Sequence, residues 1–261
     1  MMKVPIYQID AFSNKPFKGN PAAVCVLDAW MDDETLQNIA LENNLSETAF
    51  LVRSGDGYDL RWFTPVVEMD LCGHATLASA YAVLRFLQPH LEQVSFSTLS
   101  GVLTVTRDGD LLSMNFPARA PEYADFDDIL VDALGSKPIQ VLKSRDLLAL
   151  FEDEQSVIEL TPNFEKLKEV QGSLGVFVTA IGDSCDFVSR FFAPKAGVPE
   201  DPVTGSAHCT LVPFWAERLE KTTLHARQIS KRGGELFCEH LGDRVKLSGY
   251  CALFLTGEIC F

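Results

Sequence analysis

Three side chains of this sequence have the chemistry to move a proton: Glu47, His74 and Asp201. Glu47 is flanked by apolar residues, and a carboxyl group in such surroundings suits a general acid or base. His74 follows a glycine at a predicted helix start, where a neutral imidazole is expected near pH 7. Asp201 opens an Asp-Pro turn, from which it can orient an amine or hydroxyl group. Each residue also fits an ordinary role in a turn or cap, so the residue types alone leave both interpretations open.

Two glycines, Gly73 and Gly205, predict a binding site for an anion. Each separates a strand-and-loop segment from an apolar segment of helical periodicity. The first turn of a helix presents unpaired N–H groups and a partial positive charge, and glycine lets a ligand approach the backbone closely. Either glycine alone is typical of a tight strand-to-helix turn. The matched pair instead favours binding of a carboxylate.

The two glycines belong to a pattern that occurs twice. Arg-Trp-Phe-Thr-Pro at 61–65 precedes Gly73, and Arg-Phe-Phe-Ala-Pro at 190–194 precedes Gly205. A single long repeat indicates two similar halves rather than a solenoid, which needs at least three short units. Ligand sites favour the interface between domains. The duplication therefore predicts an active site between the two halves.

The chain of 261 residues accommodates two domains of ordinary size. We predict domains over 1–118 and 119–261, with the last strand a candidate to pack on the first domain. Segment 74–87 is apolar nearly all round, which predicts a buried helix wrapped by strands. A matching helix is predicted from Gly205, with Pro213 expected to kink it or to mark a tolerated bend.

Composition excludes several classes of function. A net charge of −14 argues against nucleic acid, and no apolar run reaches the roughly 20 residues of a membrane span. Seven cysteines without a CxxC pair indicate a reduced, cytoplasmic protein with mostly buried thiols. The sequence shows no metal-ligand spacing, nucleotide-binding loop or esterase elbow, so we expect neither a metal nor a cofactor.

Several motifs, in order along almost the whole chain, resemble the PhzF-like family of phenazine biosynthesis. The segments that carry this resemblance are 10–24, 44–50, 61–65, 71–77, 201–206 and 228–234. The match is weakest between about 120 and 175. The family is similar in fold to diaminopimelate epimerase and proline racemase. The resemblance therefore implies an α+β protein of two similar domains, each a β-barrel-like, mostly antiparallel sheet wrapped round a central helix.

The resemblance also implies a site and an activity. It makes Glu47 the proton-transferring acid/base, and it makes His74 and Asp201 the groups that hold or protonate the substrate. The residues implied in substrate binding are Asn20, Gly73, His74, Gly205 and Ser206. The implied activity is a cofactor-free isomerisation of a small carboxylic acid within a biosynthetic process, in a cytoplasmic homodimer. The substrate of the best-known members does not transfer automatically to this chain.

One departure separates this chain from the racemase relatives. Those enzymes use two thiols, one before each of the equivalent glycines. Cys72 fills the first place, whereas the sequence assigns the second place to Pro202, which has no thiol. A two-cysteine proton relay is therefore excluded, an isomerase that uses Glu47 is favoured, and Cys72 is interpreted as a packed thiol.

Two rival functions remain at this level. The first is an amino-acid or hydroxy-acid epimerase or racemase that uses Glu47 with Asp201 or His74 as two bases. The second is a non-catalytic binding or interaction protein on the same scaffold. The presence of Glu47, His74 and Asp201 argues against the non-catalytic protein, because a site that no longer catalyses a reaction has no chemical reason to keep all three.

Overall fold

The structure is a computed structural model that describes residues 2–261, and the chain divides into two compact units. The first unit runs up to Asn115 and also contains Ser248–Phe261. The second unit is Phe116–Leu247. The last strand is thus part of the first unit, where it pairs antiparallel with the first strand.

The elements of the chain alternate between short strands and a few helices. In the first part they are β1 (Lys3–Ala11), β2 (Asn20–Leu27), α1 (Asp33–Asn43), β3 (Glu47–Ser54), β4 (Gly57–Phe63), β5 (Glu68–Met69), α2 (Gly73–Ala82), β6 (Gln93–Thr98), β7 (Gly101–Asp108) and β8 (Leu111–Pro117). A π-helical turn, Val83–Leu87, extends α2. The helix predicted over 74–87 is therefore present, with its last turn in π geometry.

The second part repeats this alternation. Its elements are β9 (Glu122–Tyr123), α3 (Asp128–Leu134), β10 (Gln140–Lys143), β11 (Leu147–Leu150), α4 (Glu154–Ile158), α5 (Phe164–Glu169), β12 (Val176–Ile181), β13 (Phe187–Ala193), β14 (Val198–Asp201), α6 (Gly205–Leu219), β15 (Thr223–Gln228), β16 (Gly234–His240), β17 (Arg244–Gly249) and β18 (Cys251–Cys260). A 3₁₀ turn, Pro194–Ala196, lies between β13 and β14.

The strand pairing of the first unit recurs in the second. The strands β1 to β4 pair in the order antiparallel, parallel, antiparallel. The strands β10 to β13 pair in the same order. The strands on either side of α2 then pair in parallel, β4 with β6, as do those on either side of α6, β13 with β15. The duplication seen in the sequence is therefore a duplication of the fold.

The two helices that follow the repeated glycines are the buried ones. Eight of the ten residues of α2 are buried, and α2 contacts β1, β2, β3 and β18. In α6, eleven of fifteen residues are buried, and this helix contacts β15 and β16. A helix apolar on all sides has to be covered all round, and strands of the same unit provide that cover. The predicted α+β architecture, with a sheet round a central helix in each half, is confirmed.

Helix α6 continues through Pro213, which is buried. Proline has no N–H group, so the carbonyl of Cys209, one turn earlier, has no helical donor. The backbone N–H of Arg119 donates to that carbonyl at 2.9 Å. The helix tolerates the proline because this donor from outside replaces the missing bond.

The repeated arginines make the same contacts in both units. Arg61 donates through two nitrogens to Glu68, at 2.6 and 2.7 Å, and its guanidinium lies 5.0 Å from the ring of Phe63. Arg190 donates through two nitrogens to Glu200, at 2.8 and 3.1 Å, and its guanidinium lies 5.0 Å from the ring of Phe192. Each arginine–glutamate pair joins two neighbouring strands, β4 to β5 in the first unit and β13 to β14 in the second. The second strand of each pair leads to the glycine that starts the buried helix.

Candidate active site

Four polar side chains of the first unit converge on the start of α2. Glu47 is the first residue of β3, and Asn20 is the first residue of β2. Cys72 is the N-cap of α2, and His74 is its second residue. Since β2 and β3 are parallel neighbours, with Ala22 opposite Glu47, the two strand starts lie side by side. The fold thus brings together Glu47, His74 and Asn20, three of the residues predicted for the site.

His74 is the centre of this group. Its Nε2 lies 3.0 Å from Oε2 of Glu47, and the side chains are only 7% and 16% exposed. Its Nδ1 lies 3.2 Å from the amide nitrogen of Asn20 and 3.6 Å from the sulfur of Cys72. Within residues 2–261, neither Nε2 of His74 nor Oε2 of Glu47 makes an aligned hydrogen bond. The imidazole is therefore fixed on one side, while its contact with the carboxylate is close but not aligned.

The surroundings of His74 act on its pKa in opposite directions. Burial pushes the pKa of His74 down, but negative charge on Cys72 and Glu47 pushes it up by more, so the pKa lies well above its usual value. Burial also raises the pKa of the Cys72 thiol. With Cys72 kept as a thiol by its burial, the upward pull on the pKa of His74 comes from Glu47 alone. The pKa of His74 therefore depends on its neighbours Cys72 and Glu47 as well as on the helix start, and the neutral imidazole stays a prediction.

The two buried helices differ from the other helices in how they begin. The helices α1, α3, α4 and α5 are each capped by an Asp or Asn side chain that accepts from a backbone N–H. In the described chain, 2–261, the helices α2 and α6 have no such side-chain cap. Helix starts need partners for their first N–H groups. The two Gly-started helices thus differ from the other four in having no N-cap side chain bonded to their first N–H groups.

In the second unit, Asp201 lies at the end of β14, four residues before the start of α6. The hydroxyl group of Thr204, the N-cap residue, donates to Oδ2 of Asp201 at 2.5 Å. A threonine in this position commonly caps its helix. Here the hydroxyl group points at Asp201 instead, so it orients that carboxylate and leaves the start of α6 open. Gly205 and Ser206 are the first two residues of that helix.

The side chain of Gln228 holds the turn between Asp201 and Thr204 through two hydrogen bonds to its backbone. Its Oε1 accepts from the backbone N–H of Thr204 at 2.8 Å, and its Nε2 donates to the carbonyl of Asp201 at 2.8 Å. Gln228 is 1% exposed. The sequence placed Gln228 in a motif but gave it no role. Its place in the motif was the signal that could have indicated a role. A buried amide whose oxygen and nitrogen both form hydrogen bonds holds the turn that it contacts.

The helix starts correct one detail of the sequence comparison. Cys72 and Thr204 are the N-cap residues of α2 and α6, so Thr204, not Pro202, is the structural counterpart of Cys72. The assignment of Pro202 was therefore two residues away from the residue that directly precedes Gly205. Threonine also lacks a thiol, so the exclusion of a two-cysteine relay is unchanged. Cys72 is buried as expected, but it also contacts His74, which the sequence did not indicate.

The counterpart of Glu47 in the second unit carries no side chain. Thr48 lies opposite Phe63 in the first unit, and Val176 lies opposite Phe192 in the second. The residue before Thr48 is Glu47, and the residue before Val176 is Gly175. Gly175 is therefore the counterpart of Glu47. At Gly175 a Cβ atom would lie only 2.4 Å from the ring of Phe191, so a side chain is excluded there without a shift of that ring. The acid/base candidate is therefore present in one copy of the duplicated fold.

His208, one turn into α6, makes stability depend on pH. It is fully buried, and burial lowers its pKa to about 4 despite a bond at 2.8 Å between Nδ1 and the carbonyl of Thr204. The unfolded chain binds this proton below about pH 6.5, whereas the folded chain does not until about pH 4. The free energy of unfolding should therefore fall as the pH drops from 6.5 to 4, by about 3 kcal/mol from this residue.

Urea unfolding at pH 7.5 and pH 5 measures this effect. The control is His208→Gln, which keeps a side-chain donor but does not titrate. Its stability should change less between the two pH values than that of the wild type. An equal change in both proteins would contradict the role given to His208.

Comparison with known proteins identifies the family. The model of the PhzC–PhzF family, phenazine biosynthesis-like protein, matches residues 9–257. A curated protein of Pseudomonas aeruginosa, described as an uncharacterised isomerase, is 52% identical over 258 residues, which cover 99% of each chain. The chain therefore belongs to the phenazine biosynthesis-like, or PhzF-like, family, as its motifs predicted.

Solved structures agree with this assignment. A crystal structure of a PhzF-family protein from Enterococcus faecalis is 48% identical and has a TM-score of 0.98, with all of both chains covered. A probable proline racemase from Agrobacterium radiobacter has a TM-score of 0.65 at 12% identity, over 98% of this chain and 93% of the other. The second likeness shows a shared fold only, and it confirms the epimerase-like architecture. Among the described residues, no helix has both the length and the apolar character needed to cross a membrane.

Proposed function

We propose that this protein is a cofactor-independent isomerase that moves a proton on a small carboxylic acid. The observation that carries the proposal is the group Glu47–His74–Asn20 beside an uncapped helix start. A proton-transfer group adjoins a site for a carboxylate, and both are held by elements of the sheet and helix. The description of the Pseudomonas aeruginosa relative as an isomerase supports the same class of reaction.

In this proposal Glu47 removes a proton from a carbon atom and returns it to another carbon atom on the same face of the substrate. The open N–H groups at the start of α2 bind the substrate carboxylate, as an oxyanion hole binds developing charge. His74 stabilises negative charge that develops on the substrate. Asn20 fixes the ring of His74.

We further propose that Asp201 acts on the same substrate, and that Gly205 and Ser206 bind it through the start of α6. The orientation of Asp201 by Thr204, the absence of a side-chain cap on α6 and the duplication of the fold support this proposal. An active site shared by the two units is part of it. Asp201→Asn should lower kcat/KM and leave the free energy of unfolding nearly unchanged. An unchanged kcat/KM would exclude Asp201 from the reaction.

Thr204 in place of a second thiol disfavours the rival two-cysteine racemase. An epimerase that pairs Glu47 with another base differs from the isomerase in the position of the new C–H bond, which product analysis distinguishes. We also propose a cytoplasmic homodimer in a biosynthetic process. The seven cysteines, all of them free thiols, fit a reducing compartment.

A thermal-shift screen of small metabolites tests the class of ligand. A true ligand raises Tm by mass action, so carboxylic acids should dominate the hits. For each hit, the carboxamide analogue is the matched control, because it keeps the shape and loses the charge. Carboxamides that stabilise the protein as well as the acids would contradict the carboxylate site.

A further inference from the structure

The three side chains round His74 also have the donor atoms of a transition-metal site. One ligand atom each from Glu47, Cys72 and His74 lies within 4.8 Å of the others. Within residues 2–261 this is the single such group of three or more histidine, cysteine or acidic side chains. Ligand spacing along the chain does not predict this group, because its members come from the start of a strand, a helix cap and the first turn of the helix.

We propose that this trio binds a thiophilic divalent cation, with Zn²⁺ as the natural candidate, and that the bound ion inhibits the enzyme. Zinc takes the sulfur of cysteine, the nitrogen of histidine and the oxygen of glutamate, often three from the protein with a fourth position open. Calcium and magnesium prefer oxygen ligands throughout and do not fit this donor set.

The geometry is close to what zinc requires. With bonds of about 2.0–2.3 Å, the donor atoms of a tetrahedral site lie roughly 3.3–3.7 Å apart. The sulfur of Cys72 and Nδ1 of His74 are 3.6 Å apart, and Nε2 of His74 and Oε2 of Glu47 are 3.0 Å apart. Only one nitrogen of the ring can bind the ion, so the side chain beside the other nitrogen, Cys72 or Glu47, has to move. The donor atoms lie within 4.8 Å of one another, and bringing them to about 3.7 Å requires a shift of about 1 Å.

Two further observations point to a ligand here. Oε2 of Glu47 and Nε2 of His74 are both buried, and within the described chain neither has an aligned hydrogen-bond partner. An ion would give both atoms a partner. The side chains of His74 and Glu47 are also enclosed, at 7% and 16% exposed, so an ion bound by them would be largely shielded from water.

Charge also favours the ion. Binding releases to solvent the thiol proton of Cys72 and any proton on the ring nitrogen of His74 that takes the ion, so the site would hold one thiolate, one carboxylate, one neutral imidazole and one divalent cation. These charges sum to zero, which removes the main cost of burying them. The inhibition follows from the proposed function, because the ion occupies Glu47 and His74. The binding does not depend on that function.

Titration of the metal-free protein with Co²⁺ tests the binding directly. Thiolate ligation gives cobalt an intense near-ultraviolet charge-transfer band, which excess Zn²⁺ should remove. We expect one Co²⁺ per chain in the wild type. Cys72→Ser should abolish the band, and His74→Asn should weaken binding at least tenfold. Cys260→Ser is the control, since Cys260 is the exposed thiol most able to bind an adventitious ion.

The outcomes separate this proposal from the proposed function. Loss of the band in Cys260→Ser with retention in Cys72→Ser would show an adventitious ion only and would overturn the site. No binding by the wild type would overturn it as well. If Zn²⁺ binds with the expected variants affected but leaves turnover unchanged, the inhibition is wrong while the metal site stands.

Discussion

Glu47→Gln should lower kcat by roughly 10²–10⁴-fold, the contribution typical of a positioned general acid or base. Glutamine keeps the size and a hydrogen-bonding oxygen but cannot exchange a proton. The change should leave the fold intact, since Glu47 is the first residue of its strand and is partly exposed. It should also leave carboxylate binding intact, because the N–H groups at the start of α2 are unchanged. The measurement is kcat and Tm for the wild type and the variant with a ligand from the thermal-shift screen.

Glu47→Asp is the graded control for this prediction. It keeps the carboxyl group and moves it away from His74 by one methylene group, so activity should fall between that of the wild type and Glu47→Gln. Full activity in Glu47→Gln would remove Glu47 from the mechanism. Equal loss in both variants together with a lower Tm would indicate a structural role instead.

Arg190→Met should destabilise the second unit by about 3–5 kcal/mol, the cost of leaving a largely buried ion pair without one partner. Arg190 and Glu200 are 12% and 21% exposed. Arg190 also donates to the carbonyls of Val157 and Leu160, at 3.1 and 2.8 Å. The substitution would therefore leave a carboxylate and two backbone carbonyls unpaired. Chemical denaturation followed by fluorescence measures the loss.

The matched control is Arg61→Met in the first unit. Arg61 makes the equivalent pair with Glu68, but both side chains are more exposed, at 23% and 26%. Its other ion-pair partner, Asp33, is 77% exposed. The loss should therefore be smaller than for Arg190→Met. A larger loss at Arg61 would contradict the argument that burial sets the cost of breaking these pairs.

The sequence was sufficient for the large elements of the fold. The helix start at Gly73, the buried character of 74–87 and the duplication all follow from residue pattern. Capping by Asp32 could also be predicted, because an acidic residue before an apolar helical pattern is a local signal. Short strands such as β10 (Gln140–Lys143) were missed, since four residues hold too little periodicity to distinguish a strand from a loop.

The polar contacts of the candidate site depend on pairing between distant segments. Glu47 is a plausible turn residue until the parallel register of β2 and β3 places it beside Asn20. The high pKa of His74 also depends on tertiary contacts, because the nearby carboxylate comes from another element. The sequence favours a packed thiol at Cys72, and only the fold brings its sulfur within 3.6 Å of His74. Local pattern determines which residues are available, and only the fold determines which of them meet.

The central claim is that this chain exchanges a carbon-bound proton without a cofactor. The most direct measurement is mass spectrometry or NMR of a bound carboxylic acid after incubation in D₂O with the metal-free protein. We expect deuterium at one carbon atom of the ligand with the wild type and at least a hundredfold slower entry with Glu47→Gln. A ligand that binds tightly but takes up no deuterium with the wild type, or takes it up equally fast with Glu47→Gln, would contradict it.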